Sequence, residues 1–280
     1  MATCSAMPNG WVDDHLVARL LGADFQVWDD KTVDWSAYDR VLLRSVWDYS
    51  RRGEEFLAWC RAVGPRRLRN RPDLVAFNAD KRYLKQLSAP TVPTTFIAPG
   101  DSVPAYEGEV VVKPNISAGA RNTGRFGPTA HAAATALIEQ IHDSGRVALL
   151  QPYLTAIDTH GETALVYIAG QLSHVLTKRA VLRSEGVAPV ADGELGVAAA
   201  MLEDDLVRAG TADAAQKALA AAIHAEIAAT FGVPVYARID LVASPDRGPV
   251  LLELEAIEPS LYLDLAPGSS QRLADAVRTS

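Results

Sequence analysis

Apolar and polar positions follow two alternating spacings over the first 75 residues. Residues 13–21 and 54–63 carry apolar side chains three and four positions apart, which is typical of helices that pack on one face. Residues 24–28 and 41–44 are short apolar runs that predict strands. Strands separated by helices favour a parallel sheet flanked by helices. We therefore predict an N-terminal α/β domain over residues 1–88.

The pattern changes after a predicted helix at residues 74–87, where Pro90 and Pro93 interrupt the chain and mark a boundary. The following region, residues 89–154, predicts a small central subdomain. Its predicted strands span 94–98, 109–113 and 148–152, and its predicted helix spans 130–144.

Residues 155–280 form the third region, in which strands predominate. The predicted strands are 163–168, 172–178, 235–242 and 250–255. Between them, an alanine-rich stretch at 197–230 has helical character and carries Leu219, Ile223 and Ile227 at intervals of four. The predicted fold class is α/β, with α+β character and a mixed or antiparallel sheet in the C-terminal half.

Composition narrows the class of protein. The 280 residues are 49% hydrophobic with a net charge of −7, a pI near 5.4 and a mean hydropathy of +0.03. The acidic balance argues against non-specific nucleic-acid binding. The sequence contains neither an apolar run near 18 residues nor a secretory signal, so we expect no membrane association. Cys4 and Cys60 are too few for a disulfide framework, which fits a cytoplasmic protein.

The predicted hairpin 235–257 concentrates charge on one face. Because strand side chains alternate, Arg238 and Asp240 share a face, and so do Glu253 and Glu255, with Leu252 and Leu254 opposite. A turn centred on residues 246–247 places Asp240 opposite Glu253 and Arg238 opposite Glu255. Converging carboxylates need a neutralising partner, and a hard divalent cation is a natural one. The alternative is an exposed face with cross-strand ion pairs.

Three lysines add candidate anion contacts. Lys113 ends the apolar strand 110–113 and precedes a loop of small residues at 115–123, whose backbone amides could hold phosphate. A flexible surface turn explains the loop equally well, and its spacing is not that of a P-loop. Lys81 and Lys178 fit the same chemistry, although each alone is more typical of a surface lysine.

The ordered set of these features resembles the ATP-grasp superfamily over residues 40–270. The set comprises Lys81, Lys113, the small-residue loop, the segment QPYL at 151–154 followed by Asp158, the strand YARID at 236–240 and the strand LELE at 252–255. The resemblance implies an ATP-grasp fold in which the central subdomain acts as a lid.

The resemblance also implies residue roles. Lys81 and Lys113 would hold the α- and β-phosphates of ATP, and Ser117, Ala118, Gly119, Ala120 and Arg121 would form a mobile loop over the triphosphate. Gln151, Pro152, Tyr153 and Leu154 would meet the adenine, and Asp158 the ribose hydroxyls. Asp240, Glu253 and Glu255 would bind Mg²⁺, with two ions and Mn²⁺ as a substitute. Arg238 and Lys178 would lie beside the transferred phosphoryl group.

A narrower resemblance is to the bacterial ATP-grasp subgroup that contains the D-cycloserine synthetases. It rests on RSVWDY at 44–49, DKRYL at 80–84, SAGAR at 117–121 and EAIEPSL at 255–261. It implies a ligase that activates a carboxylate as an acyl phosphate and cyclises O-ureido-D-serine to D-cycloserine, an antibiotic. The implied substrate contacts are Arg44, Trp47, Asp48, Glu258 and Ser260.

Three other functions stay open at this point. A peptide-type ligase would join two separate molecules by the same acyl phosphate chemistry, an ATP-grasp kinase would stop at the phosphorylated product, and a nucleotide sensor would not turn over ATP. The expected partner is a small amino-acid-like carboxylate, and assembly into a homo-oligomer is open as well.

Overall fold

The computed structural model describes residues 1–191 and 193–280. The strands are β1 (Ala2–Thr3), β2 (Gln26–Val27), β3 (Val41–Leu42), β4 (Leu68–Arg69), β5 (Thr95–Ile97), β6 (Val110–Pro114), β7 (Gly124–Phe126), β8 (Ala148–Pro152), β9 (Glu162–Ile168), β10 (Gln171–Lys178), β11 (Gly186–Val187), β12 (Val207–Ala209), β13 (Tyr236–Ser244) and β14 (Gly248–Glu255). The helices are α1 (His15–Leu21), α2 (Gly53–Val63), α3 (Pro72–Asn78), α4 (His131–Asp143), α5 (Ala156–His160), α6 (Ala214–Phe231) and α7 (Ser269–Thr279). In this part of the chain, no helix is long and apolar enough to cross a bilayer.

Parallel strand pairs organise the N-terminal region, as the alternating pattern predicted. Strand β1 pairs with β2 and β3 with β4, and a parallel bridge between Ala2 and Leu43 joins the two pairs. Trp28 and Phe56 pack edge to face in the core beneath these strands. The C-terminal helix α7 completes the region by packing against α1.

Two predicted helices differ from the structure. The helix predicted at 74–87 was wrong in extent: α3 ends at Asn78, and a 3-10 turn follows at Lys81–Lys85 because the Asp80 side chain caps the amide of Arg82. The alanine-rich helix is confirmed only as α6. It begins at Ala214 because Asp213 and Gln216 form a capping box, and the preceding residues include a 3-10 turn at Ala199–Leu202 and strand β12.

Two antiparallel five-stranded sheets form the rest of the molecule. The central sheet has the order β11-β7-β6-β8-β5, and the C-terminal sheet has the order β12-β10-β9-β13-β14. Helix α4 packs on the first sheet and α6 on the second. Strand β11 lies in the connection between β10 and β12, so this connection links the two sheets. The boundaries at residues 88 and 154 stay a prediction.

Buried asparagines fasten the N-terminal region to the last hairpin. The Asn70 amide donates to the carbonyl oxygens of Tyr236 and Ala256, at 2.8 and 2.9 Å, and its oxygen accepts from the amide of Val235 at 2.7 Å. Asn78 bonds similarly to Leu254 and Ala256. These contacts set the position of β13 and β14, which carry the charged residues of the site.

Candidate active site

A cavity of about 690 Å³ lies between the two sheets and beside the N-terminal region. Most of the predicted site residues line it, although they come from distant parts of the sequence. They are Trp47, Lys81, Lys113, Ser117, Ala118, Gly119, Ala120, Gln151, Pro152, Tyr153, Leu154, Lys178, Arg238, Glu253, Glu255, Glu258 and Ser260. The remaining five predicted residues, which are Arg44, Asp48, Arg121, Asp158 and Asp240, lie outside its wall.

The predicted register of the charged hairpin is confirmed. Strands β13 and β14 pair Arg238 with Glu255 and Asp240 with Glu253. A bulge next to Asp240 shifts the register toward the turn. As a result Leu252, predicted to lie opposite the glutamates, also lines the cavity and packs near Leu154 and Ile157.

Asp240 is buried behind the cavity wall by two cations. The Lys178 ammonium donates to its Oδ2 at 2.7 Å, and the Arg238 guanidinium donates to both oxygens at 2.9 and 3.0 Å. Burial opposes the ionisation of Asp240, but Arg238 and Lys178 outweigh it and lower its pKa to about 2. The Asp240 carboxylate therefore fixes these two cations in the orientation in which both reach the cavity.

The two glutamates of β14 differ from Asp240 because their side chains keep 30% and 27% of their surface exposed. Burial raises the pKa of Glu255 to about 7 against the influence of Arg238, and the nearby carboxylates of Asp240 and Glu253 add to the rise. For Glu253, the ammonium groups of Lys81 and Lys113 outweigh burial and lower the pKa. Arg238 pairs with one oxygen of Glu255, but Arg238 also serves Asp240, so the charge of Glu255 is compensated only in part.

The predicted metal trio is only partly assembled. Among the described residues, no three His, Cys, Asp or Glu side chains are grouped so that they could hold a metal ion. The reason is that both oxygens of Asp240 accept hydrogen bonds from Arg238 and Lys178. Glu253 and Glu255 do fit a hard divalent cation, because both are cavity-facing carboxylates two positions apart on one strand.

Lys81 and Lys113 converge beside Glu253. The Lys81 ammonium lies 3.1 Å from a Glu253 carboxylate oxygen and donates to the carbonyl oxygen of Ser117 at 3.2 Å. In the described chain, no carboxylate lies within 4.0 Å of the Lys113 ammonium, and burial lowers the pKa of Lys113. Two buried ammonium groups on one wall provide the charge that a polyphosphate requires.

The small-residue loop lines the same wall. Gly119 and Ala120 have φ of 62° and 54°, in the left-handed region. A Cβ at Gly119 would come within 2.4 Å of a Val197 methyl, so glycine permits the close contact with the connection between β10 and β12. Arg121 departs from its predicted role: its guanidinium turns away and donates to Ser50 Oγ at 2.5 Å and to the carbonyl oxygen of Leu195.

The segment after β8 forms the apolar end of the cavity. Gln151 is buried and its amide donates to Thr94 Oγ1 at 2.8 Å, while Tyr153 and Leu154 face the cavity. Asp158, predicted as the ribose contact, does not line the wall. Its carboxylate accepts from the Tyr153 hydroxyl and from Arg125, because α5 turns it toward those two groups.

Two of the predicted substrate contacts have structural partners instead. Arg44 is buried, donates to Asp14 at 2.7 Å and lies over the Tyr236 ring. Asp48 accepts from the Trp28 indole at 2.9 Å and faces the N-terminal core. A single position in a loop does not determine which way its side chain points, so the motif placed both residues near the cavity but on the wrong side of its wall.

Among the cavity residues that were not predicted are Trp11, Asp13, Glu162 and Tyr262. Glu162 accepts from Lys178 at 2.9 Å. Counting outward from the tight turn at Ala169 and Gly170 would pair Glu162 with Thr177. A bulge between Leu172 and His174 shifts the register by one residue and brings Lys178 opposite Glu162, so the sequence alone did not indicate this contact. The other three lie in turns or loops, and no periodicity indicates them.

Asp13 joins the N-terminal region to the C-terminal end of the site. Its Oδ1 accepts from the Leu263 amide at 2.7 Å, while its buried Oδ2 has no hydrogen-bond partner among the described residues. Burial raises the pKa of Asp13 to about 6, and Arg44 opposes this rise. The folded state therefore binds this proton more tightly than the unfolded chain, in which the pKa is about 4.

The raised pKa predicts a pH-dependent effect of Asp13→Asn. Stability from the Asp13 proton is complete below about pH 4 and is lost as the pH rises through about 6. Relative to the unmodified protein, the Asn variant should therefore gain stability between pH 4 and 6.5, because its amide does not ionise. Urea unfolding at several pH values measures this difference, and a difference that stays constant with pH contradicts the prediction.

Comparison with solved structures gives the class. Two antiparallel sheets around a lysine-lined cavity form an ATP-grasp fold, and the chain superposes on a D-alanine–D-alanine ligase from Bacillus anthracis in complex with ATP. That match has a TM-score of 0.66 at 11% identity and covers 99% of this chain and 94% of the ligase. The fold class predicted from the sequence is confirmed.

Closer relatives define the family. Residues 1–70 match the family model for the N-terminal domain of D-cycloserine synthetase DcsG. The chain is 35% identical over 278 positions to the cycloserine biosynthesis protein DcsG of Streptomyces lavendulae, covering 92% of this chain and 89% of the relative. It also superposes on the crystal structure of D-cycloserine synthetase DcsG with a TM-score of 0.84 and 31% identity, covering 99% and 97% of the two chains. The chain therefore belongs to the D-cycloserine synthetase family, and it is an ATP-dependent carbon–nitrogen ligase, which confirms the predicted family and enzyme class.

Proposed function

We propose that this ligase cyclises O-ureido-D-serine to D-cycloserine. The observation that carries the proposal is the 31–35% identity to D-cycloserine synthetases over nearly the whole chain, together with a cavity that holds four cationic side chains and two half-buried glutamates. ATP phosphorylates the substrate carboxylate, the aminooxy nitrogen attacks the acyl phosphate and phosphate leaves. Water then removes the carbamoyl group as carbon dioxide and ammonia. The α-ammonium group takes no part.

The residues of the cavity divide this work. Lys81 and Lys113 bind phosphate oxygens, and the loop Ser117–Ala120 covers them, which excludes water from an acyl phosphate that hydrolyses readily. Gln151, Pro152, Tyr153 and Leu154 form the adenine end. Lys178 and Arg238, held by Asp240, face the position at which negative charge develops during transfer. All of the predicted nucleotide contacts except Arg121 and Asp158 therefore lie on one wall of the cavity.

Glu253 and Glu255 would hold Mg²⁺, which when bound supplies charge neutralisation to the phosphate oxygens. Their carboxylates fit because both reach the cavity, and because Arg238, which also serves Asp240, compensates Glu255 only in part. Asp240 would join them only if Arg238 or Lys178 released one of its oxygens. A second ion and substitution by Mn²⁺ follow from the same carboxylate chemistry. The requirement for ATP and the two unpaired cysteines, Cys4 and Cys60, support a cytoplasmic location.

A substrate screen tests the proposal. The purified chain is incubated with ATP, Mg²⁺ and O-ureido-D-serine, its L-enantiomer or other amino-acid carboxylates, each alone and with free amines. ADP release is measured, and product masses are determined by mass spectrometry. We expect ADP release with O-ureido-D-serine and a product of the mass of D-cycloserine. A product that joins two molecules indicates a peptide-type ligase, a stable phosphorylated acid indicates a kinase, and either would refute cyclisation.

A further inference from the structure

The main chain that follows β14 is held by three side chains in succession. The Trp47 indole donates to the carbonyl oxygen of Glu258 at 3.1 Å, Arg44 donates to that of Pro259 at 3.0 Å, and Arg238 donates to that of Ser260 at 2.8 Å. Three consecutive carbonyl oxygens are thus fixed by donors from two parts of the fold. Such anchoring orients whatever side chain the segment presents to the cavity.

The side chain presented there is the carboxylate of Glu258. It lines the cavity, and within the described chain no cationic group lies within 4.0 Å of it. Lys81, the cation that influences it most, is already paired with Glu253 and bonded to Ser117. Burial, followed by the neighbouring Glu255 carboxylate, raises the pKa of Glu258 to about 8. A fixed carboxylate with so little compensation is suited to a cation brought by a ligand.

The surroundings favour an organic cation. Trp11 and Trp47 line the same cavity and pack edge to face with ring centroids 5.5 Å apart. Indole faces attract ammonium groups, and a substrate ammonium can also donate to a carboxylate. Asp13 adds a second carboxylate to this wall, so the cavity has a negative end in addition to its lysine-lined wall.

We propose that Glu258 binds the α-ammonium group of the amino-acid substrate and so determines that the enzyme accepts α-amino acids rather than their deaminated analogues. Arg44 and Trp47 are then positioning residues, which act through the main chain that carries Glu258. This inference rests on the proposed function, because it assigns the one group of the substrate that the cyclisation leaves unchanged.

The test compares two substrates in three proteins, which are the unmodified enzyme and two variants. O-ureido-D-serine and its deaminated analogue, 3-(ureidooxy)propanoate, are assayed for ADP release with the unmodified enzyme, Glu258→Gln and the control Glu139→Gln, which changes an exposed carboxylate on α4. We expect the unmodified enzyme and the control to prefer the amino acid by at least about 10²-fold in kcat/KM. In Glu258→Gln the preference should fall to within a few-fold of one, mainly through a higher KM.

Trp47→Phe keeps an aromatic ring but loses the donor to the Glu258 carbonyl, and should weaken the preference by a smaller factor. Thermal unfolding verifies that each variant is folded. If Glu258→Gln does not fold, Glu258→Asp is assayed in its place. If Glu258→Gln keeps the preference, lowers only kcat, or only raises the Mg²⁺ concentration required, the inference is refuted while the proposed function stands. If O-ureido-D-serine fails but another α-amino acid supports Glu258-dependent turnover, the proposed function is refuted and the inference stands.

Discussion

Replacing Glu253 or Lys113 by alanine is expected to lower ADP release by at least about 10³-fold, while the protein stays folded. Lys113 is buried with no carboxylate within 4.0 Å in the described chain, so its charge is available to an anion. Glu253 pairs with Lys81 and faces the cavity, and its loss removes both a proposed Mg²⁺ ligand and the group that orients that lysine. The measurement is ADP release with saturating substrate, ATP and Mg²⁺.

Two exposed residues provide matched controls for this experiment. Lys85→Ala removes a lysine that lies over the Phe96 ring at 4.4 Å, and Glu139→Ala removes an exposed carboxylate on α4. Both should retain full ADP release. Thermal unfolding followed by circular dichroism checks that the two cavity variants are folded. Undiminished ADP release from a folded Glu253→Ala or Lys113→Ala protein would remove the phosphoryl-transfer assignment for this cavity.

Strand residues were predicted well because alternation and turn position fix where a side chain lies. The hairpin of β13 and β14 shows this: its four charged residues lie on one face in the predicted pairs. The turn, however, is centred on Asp246, with Ser244 opposite Gly248, and it is the bulge beside Asp240 that restores the predicted pairs. The prediction ended at the bulge, which shifted Leu252, since one extra residue in a strand leaves no mark in a pattern of alternating side chains.

Loop and helix-end residues were predicted less well, for a physical reason. Arg121 and Asp158 have the right place in the chain, yet local backbone angles and competing partners decide their direction. Ser50 and Leu195 draw Arg121 away from the cavity, and Tyr153 and Arg125 hold Asp158 outside it. Three of these partners are 33 to 74 residues away in the sequence, so only the folded structure brings them together. Tyr153 is five residues from Asp158, but its contact depends on how the loop and α5 turn after β8.

The motif at 44–49 marks residues that belong to the site, but the structure shows a different contact for Arg44 and Trp47 from the one predicted. Both were expected to touch the substrate. Both donate to the main chain of the segment that begins at Glu258, and of the two only Trp47 also lines the cavity. The motif at 44–49 and the motif at 255–261 therefore form one structural unit across more than 200 residues. Arg44 and Trp47 thus fix the main chain that carries Glu258, and in this way they affect the cavity through its wall.

Asp240→Ala is expected to lower the free energy of unfolding by about 3–5 kcal/mol, the typical cost of leaving a buried charge without its partner. Asp240 is 1% exposed, and its removal strips one partner each from Lys178 and Arg238, which are 7% and 4% exposed. Glu162 and Glu255 remain as partners of those cations, which keeps the loss near the lower end of that range. Urea unfolding without nucleotide or Mg²⁺ measures this loss of free energy.

The matched control is Asp205→Ala, which breaks an ion pair between Asp205 and Arg179, whose side chains are 72% and 47% exposed. This variant should lose at most about 1 kcal/mol, because water already screens that pair. Equal losses in the two variants would mean that Asp240 does not hold the cations of the cavity in place.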